Sequence, residues 1–166
     1  MFLRAALERC SVAFCLCAVA LGALSQETQN AAHDDKISVT LIAEVAAHPP
    51  STRLQPADRV VPGNEVIYTL RIRNTTAMSR PPPTIDYPVP EHMRYIADSA
   101  VGAGAQVSFS VDGGHSFAPP ESLFVTGTDG QKRAATADDY THIRWQLKHI
   151  LKGNSVAFAR FRAVVK

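Results

Sequence analysis

Val61-Pro62-Gly63-Asn64-Glu65-Val66-Ile67-Tyr68-Thr69-Leu70-Arg71-Ile72-Arg73-Asn74 is the stretch on which the fold class turns. Its first four residues are turn formers, with Pro fixing φ and Gly free to take a positive one. Beyond them Val66, Tyr68, Leu70 and Ile72 share one parity, while Ile67, Thr69, Arg71 and Arg73 share the other. Apolar residues at every second position, many of them β-branched or aromatic, predict a strand with one buried face. Asn74-Thr75-Thr76 ends it.

The same period recurs on both sides. Upstream, Ile37, Val39, Leu41, Ala43 and Val45 alternate until His48-Pro49-Pro50 stops the strand, and Ser51 to Val60 is expected to be a loop or an irregular edge. Downstream, Arg80-Pro81-Pro82-Pro83 is expected to be extended and solvent-facing, because prolines donate no ladder hydrogen bonds. A short strand through Ile85 and Tyr87, the Pro88-Val89-Pro90 corner and a strand from Tyr95 to Val101 follow. Gly102-Ala103-Gly104 turns the chain into Gln106 to Val111, and Asp112-Gly113-Gly114 makes a hairpin turn that brings back Phe117. Leu123 to Val125 is a further short strand, and Thr126 to Asp139, which contains Asp129-Gly130, is expected to be a long loop. Ile143, Trp145 and Leu147 point inward, and Leu151-Lys152-Gly153-Asn154 turns into Val156 to Val165. In that last segment Val156 and Phe158 share one parity and Phe161, Ala163 and Val165 the other, which predicts a bulge near Ala159 and Arg160. No helix-period run interrupts the series. Short strands at intervals of about 8–12 residues, punctuated by Gly and Pro, predict an all-β antiparallel sandwich of about 7–9 strands.

The first 25 residues differ in kind. Arg4 and Arg9 precede an apolar run from Val12 to Leu24, and Ala23-Leu24-Ser25 offers small residues where signal peptidase needs them. The run is short for a bilayer span and polar residues follow it, so residues 1–25 are expected to be a cleavable signal peptide. A retained anchor and a lipoprotein are the competing readings, but Phe14 and Leu16 precede Cys15 and Cys17, where lipidation needs a small residue. Residues 26–36 are expected to be a flexible lead and 37–166 a single domain. Cys10, Cys15 and Cys17 all lie in the leader, so the exported part would hold together without disulfides, by burial alone. With 141 residues it is long enough for one core worth about 5–15 kcal/mol. Of the 17 basic and 15 acidic residues, Arg4, Arg9 and Glu8 fall in the leader, leaving 15 against 14, a balance with no nucleic-acid footprint.

Three segments carry a family resemblance. The quoted stretch resembles the opening strand pair of the bacterial conserved-repeat domain family (domain of unknown function number eleven). Ile85-Asp86-Tyr87-Pro88-Val89-Pro90-Glu91-His92-Met93-Arg94-Tyr95 resembles its second signature, and Ile143-Arg144-Trp145 with Leu151-Lys152-Gly153-Asn154-Ser155 is similar to its closing hairpin. Lys152 stands where the family usually has Pro, which is expected to loosen that turn. The resemblance covers about Asn64 to the C-terminus. It implies an immunoglobulin-like sandwich from exported envelope proteins, no enzymatic activity and no catalytic residues to carry over.

Candidate sites are sparse. Ser110-Val111-Asp112-Gly113-Gly114-His115-Ser116-Phe117 fits the Asp-box pattern, in which Asp112 caps the turn amides and Phe117 packs beneath the hairpin. The structural role outweighs glycan contact. His142 and His149, and His92 alone on a loop, lack the convergent spacing of a metal site. Cleavage after Ala32 would make His33 an N-terminal copper ligand, although Asn30 suits that cut poorly. Arg71, Arg73, Arg144, Arg160 and Arg162 could form an outward basic stripe for an acidic glycan or a lipopolysaccharide phosphate, or simply a solvated face. Asp138 and Asp139 are read as a loop end and Trp145 as core. No catalytic, cofactor or metal residue is assigned and no cofactor is expected. The expectation is an exported, non-enzymatic interaction module of the bacterial envelope, in the periplasm or at the cell surface. Its partner would be another envelope protein, met through loops or an edge strand, with no nucleic acid and no transmembrane segment. The alternative is a periplasmic binder of a glycan or copper.

Overall fold

The alternation of Val66, Tyr68, Leu70 and Ile72 becomes one buried face of a ten-residue strand in the computed structural model, which describes residues 36–46 and 53–166. The leader, the lead up to Asp35 and the Pro49-Pro50 stop lie outside those residues. Among the described residues the chain forms eleven strands: β1 (Ile37–Ala46), β2 (Leu54–Pro56), β3 (Glu65–Asn74), β4 (Thr84–Pro88), β5 (Met93–Tyr95), β6 (Val101–Gly102), β7 (Ala105–Ser110), β8 (Phe124–Thr126), β9 (Lys132–Ala134), β10 (His142–Leu147) and β11 (Val156–Val165). All pairings are antiparallel. The larger sheet runs β2-β1-β3-β11-β5, with β6 also on β11; the smaller runs β4-β10-β7; β8 and β9 form a separate hairpin. The protein is an all-β sandwich. Its last strand lies in the middle of the larger sheet, whereas the last strand of an immunoglobulin constant domain belongs to the smaller one.

Aromatic rings join the two layers. Tyr68 of β3 stacks on Phe161 of β11 at 4.8 Å, and Phe161 meets Trp145 of β10 at 6.1 Å and Tyr87 of β4 at 6.0 Å. A second group, Tyr95, Phe109 and Tyr140, closes the other part of the core. Offset and tilted rings of this kind add about 0.5–1.5 kcal/mol per pair beyond the area they bury. Trp145 is fully buried, and its indole N–H donates to the Val101 carbonyl at 3.1 Å, so burial leaves no orphaned donor.

Several local expectations need correction. No bulge interrupts β11, whose residues pair with β3 in unbroken register from Val156↔Arg73 to Val164↔Glu65. Ala157, Ala159, Phe161, Ala163 and Val165 share the inner parity, and Phe158 stands on the outer face, 52 % exposed. Small alanines opposite large rings had hidden the inner parity. Tyr95 to Val101 is two short strands divided by a turn in which Asp98 takes φ +57°; the Tyr95 hydroxyl accepts from the Ala100 amide at 3.0 Å. The expected loop from Thr126 to Asp139 contains β9 and a single 3-10 turn (Ala137–Asp139); Ser51 to Val60, expected as a loop or an irregular edge, contributes β2 at the edge of the larger sheet. Both added strands have little or no buried side to betray them. The strand returning from the Asp112-Gly113-Gly114 turn shrinks to one bridge, Phe109↔Ala118, because Pro119 and Pro120 follow.

The chain crosses between sheets three times at one end, from β3 to β4, from β6 to β7 and from β10 to β11, and Asn74 welds the first and last of these crossings together. Its fully buried amide donates to the carbonyls of Met78 (2.7 Å), Leu151 (3.1 Å) and Lys152 (3.1 Å), and its oxygen accepts from the Thr76 amide and hydroxyl. Arg80 and Leu151 exchange two backbone hydrogen bonds, and Asn154 donates to Thr76. The Lys152 carbonyl in this turn also accepts from the amide and hydroxyl of Ser155.

Candidate functional site

Among the described residues the outer side of β1 and the outer faces of both sheets are open to contact. On β1, the Lys36 carbonyl accepts from the Thr75 amide, so even-numbered residues direct their backbone groups at β3. Antiparallel ladders alternate, so Ile37, Val39 and Leu41 direct their N–H and C=O groups to the opposite side. There β2 pairs only with Glu44 to Ala46, and the Ala57 amide takes the Ala43 carbonyl. The Ile37–Ile42 edge therefore has no strand beside it among the described residues. Leu41 shares the parity of the buried Ile37, opposite Leu70, yet is 38 % exposed; Ile42, on the other parity, is 43 % exposed. Natural edges are guarded by Pro, Lys, inward charge or a bulge, and this one carries none of them from Ile37 to Ile42.

The outer face of the larger sheet holds Arg71 and Arg73 on β3 and Arg160 and Arg162 on β11. Register puts Arg71 opposite Phe158, and Arg160 opposite Thr69 and Val101. Arg162 is paired with Glu65 at 3.0 Å and Arg160 is bonded to the Thr69 hydroxyl at 3.1 Å. Arg144 does not belong to this stripe. It lies on β10, in the other sheet, where its guanidinium makes two 2.7 Å bonds to Asp86 and sits 3.8 Å from the Phe117 ring centroid. Phe117, expected beneath its hairpin, packs on Arg144.

The Asp-box residues are spent on the turn. The Ser110 hydroxyl, fully buried, donates to Asp112 at 2.6 Å and accepts from the Gly114 amide; Asp112 accepts from the amide of Ser116 at 2.9 Å and from its hydroxyl at 2.5 Å. Gly113 and Gly114 take φ +73° and +89°, which a side chain would strain. Hydrogen bonds from Ser110 first, then Ser116, hold the Asp112 carboxyl well below the usual carboxylate range. Asp139 is likewise committed. Two 2.7 Å bonds from Arg133 lower its pKa most, helped by the amide and hydroxyl of Thr136, which it caps; Asp138 lies 3.7 Å from Arg94. The two carboxylates serve different partners and form no dyad.

His142 packs against Gly114 and His149 against Gly104, on different turns. Among the described residues no group of three or more His, Cys, Asp or Glu converges as a metal site, and no helix is long and apolar enough to cross a membrane. His33, the conditional copper ligand, lies outside the described residues. No family model matches the chain, and neither curated proteins nor solved structures match it. Sequence reasoning missed the Asn74 weld, although an Asn placed last in a strand and followed by two threonines was a signal of it. It also left the open side of β1 unassigned, since alternation reveals faces and not edges.

Proposed function

We propose that this protein is an exported, non-enzymatic interaction module of the bacterial cell envelope that accepts a strand of a partner protein along β1. The unpaired backbone groups of Ile37, Val39 and Leu41 carry this reading, because a strand with one open side is the template for recognition by strand addition. Partner backbone would supply the hydrogen bonds. Leu41 and Ile42, exposed on the two faces of the same edge, would sort the partner by its side chains.

Three further observations support the setting. The segments that resemble the conserved-repeat family fall on β3, on β4 and β5, and on β10 and the turn that leads into β11. The leader with its small residues at Ala23 and Ser25 supports export to the periplasm or cell surface. The carboxylates weighed as sites, Asp112, Asp138 and Asp139, each face a partner of their own: Ser110, Arg94 and Arg133.

The test is Val39→Pro. Its lost N–H points away from β3, so the ladder survives, as Pro is tolerated on the free side of edge strands. Cross-linking in intact envelope followed by pull-down should return a specific protein with the wild type and lose it with Val39→Pro, at an unchanged far-ultraviolet spectrum. Equal recovery by both would remove β1 as the contact.

A further inference from the structure

At the Asn74 end, the two welded loops leave large apolar side chains in water. Met78 is 75 % exposed and Ile150 60 % exposed, although each lies within two residues of the Arg80↔Leu151 bridge. Mobility does not explain the exposure. Asn74 fixes the Met78, Leu151 and Lys152 carbonyls, and Gly153 lies so close to Ala77 that a Cβ there would stand 2.0 Å from its carbonyl oxygen. The two side chains are presented by a rigid tip.

Among the described residues the charge around them has one sign. Residues 73–83, 102–106 and 147–156, which meet at this end, include Arg73, Arg80, Lys148 and Lys152 and no Asp or Glu. None of these four cations has an ion pair among the described residues, and Arg80 Nε is buried without a hydrogen-bond partner. The described carboxylates, Glu44, Asp58 and Glu65 among them, lie elsewhere; Asp34 and Asp35 are outside the described residues. Exposed apolar side chains ringed by uncompensated cations match the interface of an anionic bilayer, where cations meet headgroup phosphates and apolar tips enter the acyl boundary.

From this we infer that the β3–β4 and β10–β11 loops form a membrane-docking tip, Met78 and Ile150 entering an anionic phospholipid surface and Lys148 and Lys152 meeting its phosphates. The inference is independent of the β1 edge: docking end-on leaves that edge open to a partner strand.

Sedimentation of the full chain with vesicles tests it, using phosphatidylglycerol mixed with phosphatidylcholine and, separately, phosphatidylcholine alone. The wild type should partition onto the anionic vesicles and lose that partition in high salt. Lys148→Gln with Lys152→Gln should weaken it roughly 30-fold, the loss expected for two cations near an anionic surface. Met78→Ser with Ile150→Ser should weaken it by about tenfold or more, with the thermal midpoint little changed because both side chains are exposed. Association through the apolar run Val12 to Leu24 would be shared by every variant and by neutral vesicles. Equal binding of the variants, equal binding to both vesicle types, or none to the anionic ones overturns the inference, and capture of a soluble acidic protein without vesicle binding does so as well.

Discussion

Asn74 ties distant chain together: of its side chain's five hydrogen bonds, two reach residues 77 and 78 positions away and three hold its own turn. Asn74→Asp is nearly isosteric but replaces the donor amide with a carboxylate facing three carbonyls. It should cost about 3 kcal/mol or more, lowering the thermal midpoint by roughly 10 °C. Gly153→Ala should act at the same place by steric means, since the added Cβ meets Ala77 backbone that cannot swing away. A calorimetric midpoint within a degree or two of wild type for either variant would show the weld to be dispensable. Asp112 and Asp139 make a different kind of statement. Their folded pKa values lie below the unfolded ones, so their hydrogen bonds stabilise fully above roughly pH 4 and fade as pH falls below it. Urea midpoints should therefore drop as pH falls from about 4 to 2, and Asp112→Asn with Asp139→Asn should flatten that slope while lowering stability at neutral pH.

Among elements, β11 carries the clearest contrast between faces. With unbroken register, Phe158→Gln exchanges one outer side chain for another and should shift stability by no more than about 0.5 kcal/mol. Phe161→Ala empties the place where rings from β3, β4 and β10 meet and should cost about 3–5 kcal/mol. Chemical denaturation of the two proteins reads the difference, and similar losses would mean the strand is re-aimed after all. Phe158 also shows where sequence reading reached its limit. Period two was plain in β3, where Val66, Tyr68, Leu70 and Ile72 are all large. In β11 the inner face is largely alanine, and the eye follows Phe158 to the wrong side. β2 and β9 were illegible because three-residue strands with exposed side chains have no periodicity to read. The Asp112 turn was legible because Gly-Gly permits only a few backbone paths. Arg144 was grouped with Arg71 because alternation says inward or outward and never which sheet.

For the molecule as a whole, the Asn74 end carries Arg73, Arg80, Lys148 and Lys152 without a described carboxylate, although the formal net charge is only +2. Position, and not total charge, sets the behaviour of such a chain near an interface. The open side of β1 belongs to this scale too. Thr40→Pro removes an N–H that faces β3, so it should unfold the larger sheet, whereas Val39→Pro should leave the far-ultraviolet spectrum intact. Similar spectra for both would contradict the ladder polarity assigned to β1.

The place of β11 between β3 and β5 has a kinetic consequence. Residues 156–165 fill the middle of a sheet whose other long strands, β1 and β3, emerge from the ribosome some 80 or more residues earlier. Until residues 156–165 arrive, β3 has no neighbour on that side and Phe161 is missing from between the layers. A nascent chain released up to Asn154 should thus stay protease-sensitive, and the completed one should collapse late and all at once.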